Sequence, residues 1–97
     1  MRVDQGLTNV PNAGTAVQVL DGIEGVWFVK FRALTANSGR VYVGISDVSA
    51  SLGYELAGGN ELELNFGQFD GTIPVNVFWV DAATNDDKVS WIMILKE

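Results

Sequence analysis

Val26-Trp27-Phe28-Val29-Lys30-Phe31-Arg32-Ala33-Leu34 is the most regular stretch of the chain. Trp27, Val29, Phe31 and Ala33 fall on one side of it, Lys30 and Arg32 on the other. A period of two with aromatic and β-branched side chains marks a strand that buries one face. The same period recurs before and after this stretch. Val17 and Val19 alternate within residues 15–20, and Val41, Val43 and Ile45 within 40–45. Leu62, Leu64 and Phe66 oppose Glu61, Glu63 and Asn65. Ile73, Val75, Val77 and Trp79 fall together in 73–80, and Val89, Trp91, Met93 and Leu95 in 88–96.

Turn-forming residues separate these runs: Pro11-Asn12-Ala13-Gly14, Asp21-Gly22, Asn37-Ser38-Gly39, Ala57-Gly58-Gly59-Asn60, Asp70-Gly71 and Asn85-Asp86-Asp87. Gly adopts positive φ freely, and Asn and Asp tolerate it while bonding nearby backbone. Only residues 47–56 lack a strand pattern, and Gly53 disfavours a helix there. Six to eight strands joined by short turns predict an all-β fold, an antiparallel β-sandwich of jelly-roll or Greek-key-like type. The 97 residues suffice for one core, assigned to residues 15–97. Residues 1–14 carry Gly6, Pro11 and Gly14, show little periodicity, and read as an extended N-terminal arm.

Composition narrows the chemistry. The chain has no His and no Cys, which removes His-based triads and dyads, Cys/His zinc sites and disulfides. Twelve acidic against six basic residues, a net charge of −6, oppose binding to a phosphate backbone, so nucleic acid is not an expected partner. No apolar run approaches the ~20 residues of a membrane helix, and the N-terminus lacks the apolar stretch of a signal peptide. The expectation is a soluble protein made in the cytoplasm, with no membrane partner, no cofactor and no enzymatic activity. Yet 47% of residues are hydrophobic and only 19% charged, against roughly 25% charged in an average domain. For a chain this small, part of the surface is therefore apolar.

Several side chains invite a functional reading beside a plainer one. The loop Asp81-Ala82-Ala83-Thr84-Asn85-Asp86-Asp87 gathers oxygen ligands of the kind calcium takes, without the spacing of a helix-loop-helix calcium site; a solvated hairpin tip is the plainer reading. Glu61 and Glu63 are spaced for acid–base work but also fit the wet face of a strand, and Asp47 fits the start of a turn. Trp27, Trp79 and Trp91 could stack on a sugar ring, yet each is in phase with aliphatic neighbours that point inward. The apolar residues on opposite phases are more telling: Phe28 beside Lys30 and Arg32, Phe78 and Val80 beside Asn76, and Ile92 and Ile94 continuing the face of Lys88 and Ser90. The outer face of a two-layer sandwich should be polar. Phe28, Phe78, Val80, Ile92 and Ile94 are thus the expected oligomer or partner interface.

One succession goes beyond pattern. Gly39-Arg40-Val41-Tyr42-Val43-Gly44-Ile45-Ser46-Asp47-Val48-Ser49 is followed by Gly53-Tyr54-Glu55-Leu56, then Gly59-Asn60-Glu61-Leu62, and closed by Asp87-Lys88-Val89-Ser90-Trp91-Ile92. This order resembles small all-β virion proteins encoded among the head and tail genes of tailed bacteriophages, and the approach Pro11-Asn12-Ala13-Gly14-Thr15-Ala16-Val17-Gln18-Val19-Leu20 is similar to their opening. Ala57 stands where such proteins commonly carry Pro, and residues 61–76 are only loosely similar. The resemblance implies a capsid decoration (cement) protein on the outer capsid surface of the virion, a homo-oligomer with a trimer favoured, whose partner is the major capsid protein. It brings no catalytic residue. A carbohydrate-binding or fibre/tail accessory module is the alternative.

Overall fold

The computed structural model describes residues 1–67 and 71–96. The fold is an all-β sandwich of two antiparallel sheets. Nine strands are described: β1 (Arg2–Val10), β2 (Val17–Gln18), β3 (Gly25–Ala33), β4 (Val41–Gly44), β5 (Tyr54–Leu56), β6 (Glu61–Asn65), β7 (Ile73–Pro74), β8 (Trp79–Ala82) and β9 (Asp87–Lys96). The larger sheet has the order β1-β9-β3-β6, with β7 also pairing to β3; the smaller has the order β2-β8-β4-β5. The expected Asp70-Gly71 turn falls partly outside the described residues.

The alternating residues of the sequence supply the core. Val29, Phe31 and Ala33 of β3 and Val89, Trp91, Met93 and Leu95 of β9 face Val41 and Val43 of β4 and Val80 and Ala82 of β8. Leu56 closes the core from β5, and Leu62 and Leu64 of β6 pack at its margin. Phe31 and Phe78 meet at a ring-centroid separation of 5.6 Å, tilted by 59°. Tilted aromatic pairs of this kind add about 0.5–1.5 kcal/mol beyond the area they bury.

Three departures from the sequence reading follow from local geometry. Residues 2–10 are a strand of the sandwich and not an arm outside it: β1 pairs with β9 along its whole length, from Arg2 opposite Leu95 to Val10 opposite Asp87. Its inward positions are Asp4, Gly6, Thr8 and Val10, too polar to produce an apolar alternation. The Trp91 ring takes up the missing volume. A Cβ on Gly6 would lie 2.8 Å from Trp91 Cε2 and closer still to Cζ2, and the indole N–H donates to Thr8 Oγ1 at 3.0 Å.

The second departure is a bulge. Val26 pairs with Leu95 and Phe28 with Ile94, which leaves Trp27 as an extra residue in β3. A bulge shifts the phase by one position, so Val26 enters the core while Trp27, expected inside, is half-buried.

The third is a single 3-10 turn at Val75–Val77 between β7 and β8. Three residues per turn do not preserve a period of two. Beyond the turn, Phe78, Val80 and Ala82 point inward, while Trp79 is half-buried on the outer side.

The smaller sheet is covered on its outer side by residues 45–53. Val48 is buried there, against Gly44 and Gly53, and a Cβ on Gly53 would come within 2.5 Å of Val48 Cγ2. Gly53 also has φ +148, a backbone conformation L residues rarely adopt. The segment without a strand pattern is thus a lid held down by one valine and two glycines.

Candidate functional site

The antiparallel registers define the outer face of the larger sheet row by row. One row runs Val3, Ile94, Phe28, Asn65; the next Gln5, Ile92, Lys30, Glu63; the third Leu7, Ser90, Arg32, Glu61. The face is divided across the strands. Its β1–β9 half carries Val3, Leu7, Ile92 and Ile94 with Gln5 and Ser90 between them, and its β3–β6 half becomes charged away from the first row. Val3 is 63% exposed, Leu7 56% and Ile92 41%, whereas Ile94 and Phe28 are half-buried under their neighbours. At the end of the first row, Met1, Trp27, Phe28, Asn65, Gly67 and Ile94 line a shallow groove of about 360 Å³. The Lys96 ammonium lies 6.0 Å from the Trp27 ring centroid there, a cation–π distance.

Of the five residues expected at an interface, the structure brings Phe28, Ile92 and Ile94 together on this face. It places the other two elsewhere. Phe78 is 6% exposed and Val80 fully buried, both inside the core, because the 3-10 turn reverses the phase of the strand they begin. Sequence reasoning missed Val3 and Leu7, which contribute the most exposed apolar positions of the three rows. They lie in a stretch with little periodicity, and without knowledge that β1 pairs with β9 nothing placed them beside Ile92 and Ile94.

The acidic loop has other duties. Asp81 is buried, and its Oδ1 accepts the Gly14 and Ala82 N–H groups at 3.0 and 2.8 Å. Asp87 is buried as well and accepts Ser38 N–H at Oδ1 and Gly39 N–H at Oδ2, at 2.9 and 2.8 Å. Asn85 Oδ1 accepts the Ala13 N–H at 2.8 Å. These side chains hold the 11–16 and 35–40 loops to one end of the sandwich instead of waving at a hairpin tip. Among the described residues no three His, Cys, Asp or Glu side chains converge as a metal site.

Glu61 and Glu63 are exposed, and Glu61 pairs with Lys30 at 3.5 Å. At an exposed site such a pair contributes little to stability. Asp47 is exposed beside Ile45 and Leu52 in a second shallow groove, on the covered side of the smaller sheet. Among the described residues no helix is long and apolar enough to cross a membrane. Compared with known proteins, the chain matches no family model and no curated protein.

Proposed function

We propose that this chain is a non-enzymatic structural protein of a phage virion, of the capsid-decorating kind, which oligomerises and binds the outer surface of the shell. The observation that carries the reading is an apolar cluster on the outer face: Val3, Leu7 and Ile92 exposed, with Ile94 and Phe28 half-buried beside them. An outward sheet face in a lone sandwich should be polar, and a contiguous apolar one marks a contact surface. The resemblance of its motifs to those of small virion proteins supports a capsid protein as the class of partner. A decorating protein stabilises a shell by linkage, because its binding free energy exists only in the assembled state. Oligomers multiply weak contacts into avidity.

The test mixes the purified protein with empty shells of its phage's major capsid protein and reads co-sedimentation and shell melting. The expected result is saturable binding and a higher shell melting temperature, both reduced by Ile92→Lys or Ile94→Lys in a protein that still unfolds cooperatively. Shells that pellet without the protein would overturn the reading.

A second reading has its own observation. Trp27 is half-exposed in the groove with Phe28 and Asn65, an aromatic and an amide arranged as a sugar platform would be. Trp27 fluorescence that responds to oligosaccharide would favour this carbohydrate-binding alternative.

A further inference from the structure

Three aspartates aim a carboxylate oxygen at the N–H of the residue that follows them. Asp4 Oδ1 accepts from Gln5 at 2.9 Å, Asp21 Oδ1 from Gly22 at 3.0 Å and Asp81 Oδ1 from Ala82 at 2.8 Å. Each contact holds together the two groups that would join if the side chain closed on the main chain, the carboxyl and the next amide nitrogen. Whether they can join depends on what surrounds the pair.

Asp4 lies in β1 and Asp81 in β8, where pairing with a neighbouring strand fixes the backbone, and Asp81 is buried. Each is also followed by a residue whose side chain crowds the nitrogen. Asp21 differs on every count. It is exposed, it lies in the loop between β2 and β3, and Gly22 follows it. The loop is pinned near its ends, where the Val19 N–H donates to the Phe78 carbonyl at 3.0 Å and the Val75 N–H to the Glu24 carbonyl at 2.9 Å. Between these anchors Leu20 packs against the core, whereas Ile23 is 86% exposed. No backbone–backbone hydrogen bond to a described residue holds Asp21, Gly22 or Ile23. A segment with so few restraints opens locally at little cost.

We propose that Asp21–Gly22 is a self-modification site, at which the chain converts without an enzyme through a cyclic imide to isoaspartate. The Gly22 nitrogen attacks Cγ of Asp21, and the carboxyl hydroxyl leaves with the amide proton as water, closing a five-membered succinimide. Water then adds to one of the two ring carbonyls. Opening at Cγ restores aspartate. Opening at the main-chain carbonyl leaves Gly22 joined through the Asp21 side chain, with a new carboxylate on the former backbone carbon. One water leaves and one returns, nothing is oxidised, and the net charge is unchanged. Holding the reacting groups side by side supplies the proximity such a ring closure needs. The product carries one more carbon in its main chain between fixed anchors, so the loop must bow. The Glu24 carboxylate, which lies where a Gly22 Cβ would sit and pairs with Arg2 at 3.6 Å, is the group such a bow would move. The chemistry needs no partner, so its test is separate from that of the capsid reading.

In the experiment the purified protein is incubated for weeks in mildly acidic buffer at physiological temperature. It is then unfolded and digested with a protease that cuts before aspartate but not before isoaspartate. The expected result is progressive loss of the cut between Leu20 and Asp21 while the cuts before Asp4 and Asp81 persist. The peptide that holds Asp21 should also show a transient form lighter by one water. In an Asp21→Asn chain the same ring closes with loss of ammonia, and its hydrolysis should leave that peptide one mass unit heavier. A cut before Asp21 that fades no faster than those before Asp4 and Asp81 overturns the proposal. So does an Asp21→Asn chain that keeps its mass. Conversion confined to the Asp70–Gly71 pair, which the same digest reports separately, overturns it as well.

Discussion

Replacing Gly6 by Ala probes the contact that makes β1 part of the sandwich. The added methyl would lie 2.8 Å from Trp91 Cε2, so either the ring or the strand must move. Forcing an extra carbon into a filled core costs typically about 1–3 kcal/mol. A displaced indole also loses its bond to Thr8 Oγ1, worth about 1 kcal/mol. Opposing both, Ala has fewer unfolded conformations than Gly and favours folding by roughly 0.4–1 kcal/mol. The net is a destabilisation of about 1–3 kcal/mol, and each kcal/mol lowers the melting temperature of a domain this size by about 4–8 °C. Urea unfolding followed by tryptophan fluorescence should show a lower midpoint with an unchanged slope. In a Trp91→Phe background the outer indole atoms are gone and the penalty of Gly6→Ala should shrink, a coupling of at least about 0.5 kcal/mol between the two sites. A Gly6→Ala protein as stable as the wild type would refute the reasoning, because Ala would then be accommodated without moving Trp91.

Two further outcomes follow from the same geometry. Asp87→Ala removes the acceptor of two backbone N–H groups and should destabilise by at least about 2 kcal/mol, since hydrogen bonds to a charged group are worth about 1.5–3 kcal/mol each; chemical denaturation measures it, and a loss below about 0.5 kcal/mol would contradict the loop-tethering role. Acrylamide quenching should act on Trp27 and Trp79 and spare Trp91, so Trp91→Phe leaves the quenched fraction nearly whole while Trp27→Phe and Trp79→Phe each reduce it.

Much of this architecture was legible because period-two alternation survives wherever one face of a strand meets a core. β3, β4, β6 and β9 all appear where Val29, Val41, Leu62 and Met93 placed them. The losses came from devices that alter phase or hide volume. An extra residue at Trp27 and one 3-10 turn at Val75–Val77 each moved an aromatic to the other side, and no propensity scale registers either. Gly6 and Thr8 disguised β1, because the apolar bulk on its inner side comes from Trp91, eighty-odd residues away. At the candidate site the same logic applies. Phe28, Ile92 and Ile94 could be found from alternation alone, since both their strands were recognised. Val3, Leu7, Ile45 and Leu52 could not, because their significance rests on which strand lies beside them and on a lid that only tertiary contacts define.

The position of β9 has a consequence for how the chain is made. It follows every other described strand in the sequence, yet it lies between β1 and β3 in the larger sheet. While a ribosome is still adding residues 87–96, that sheet lacks its middle, and β1 has no neighbour to pair with. Joining Arg2 to Leu95 closes a loop of nearly the whole chain, and contacts of such long range slow folding. Until β9 emerges, the nascent protein keeps β1 as a free strand with its backbone N–H and C=O groups unpaired, open to the strands of other nascent copies. Strand exchange between copies is thus the misassembly to which this order of synthesis exposes it.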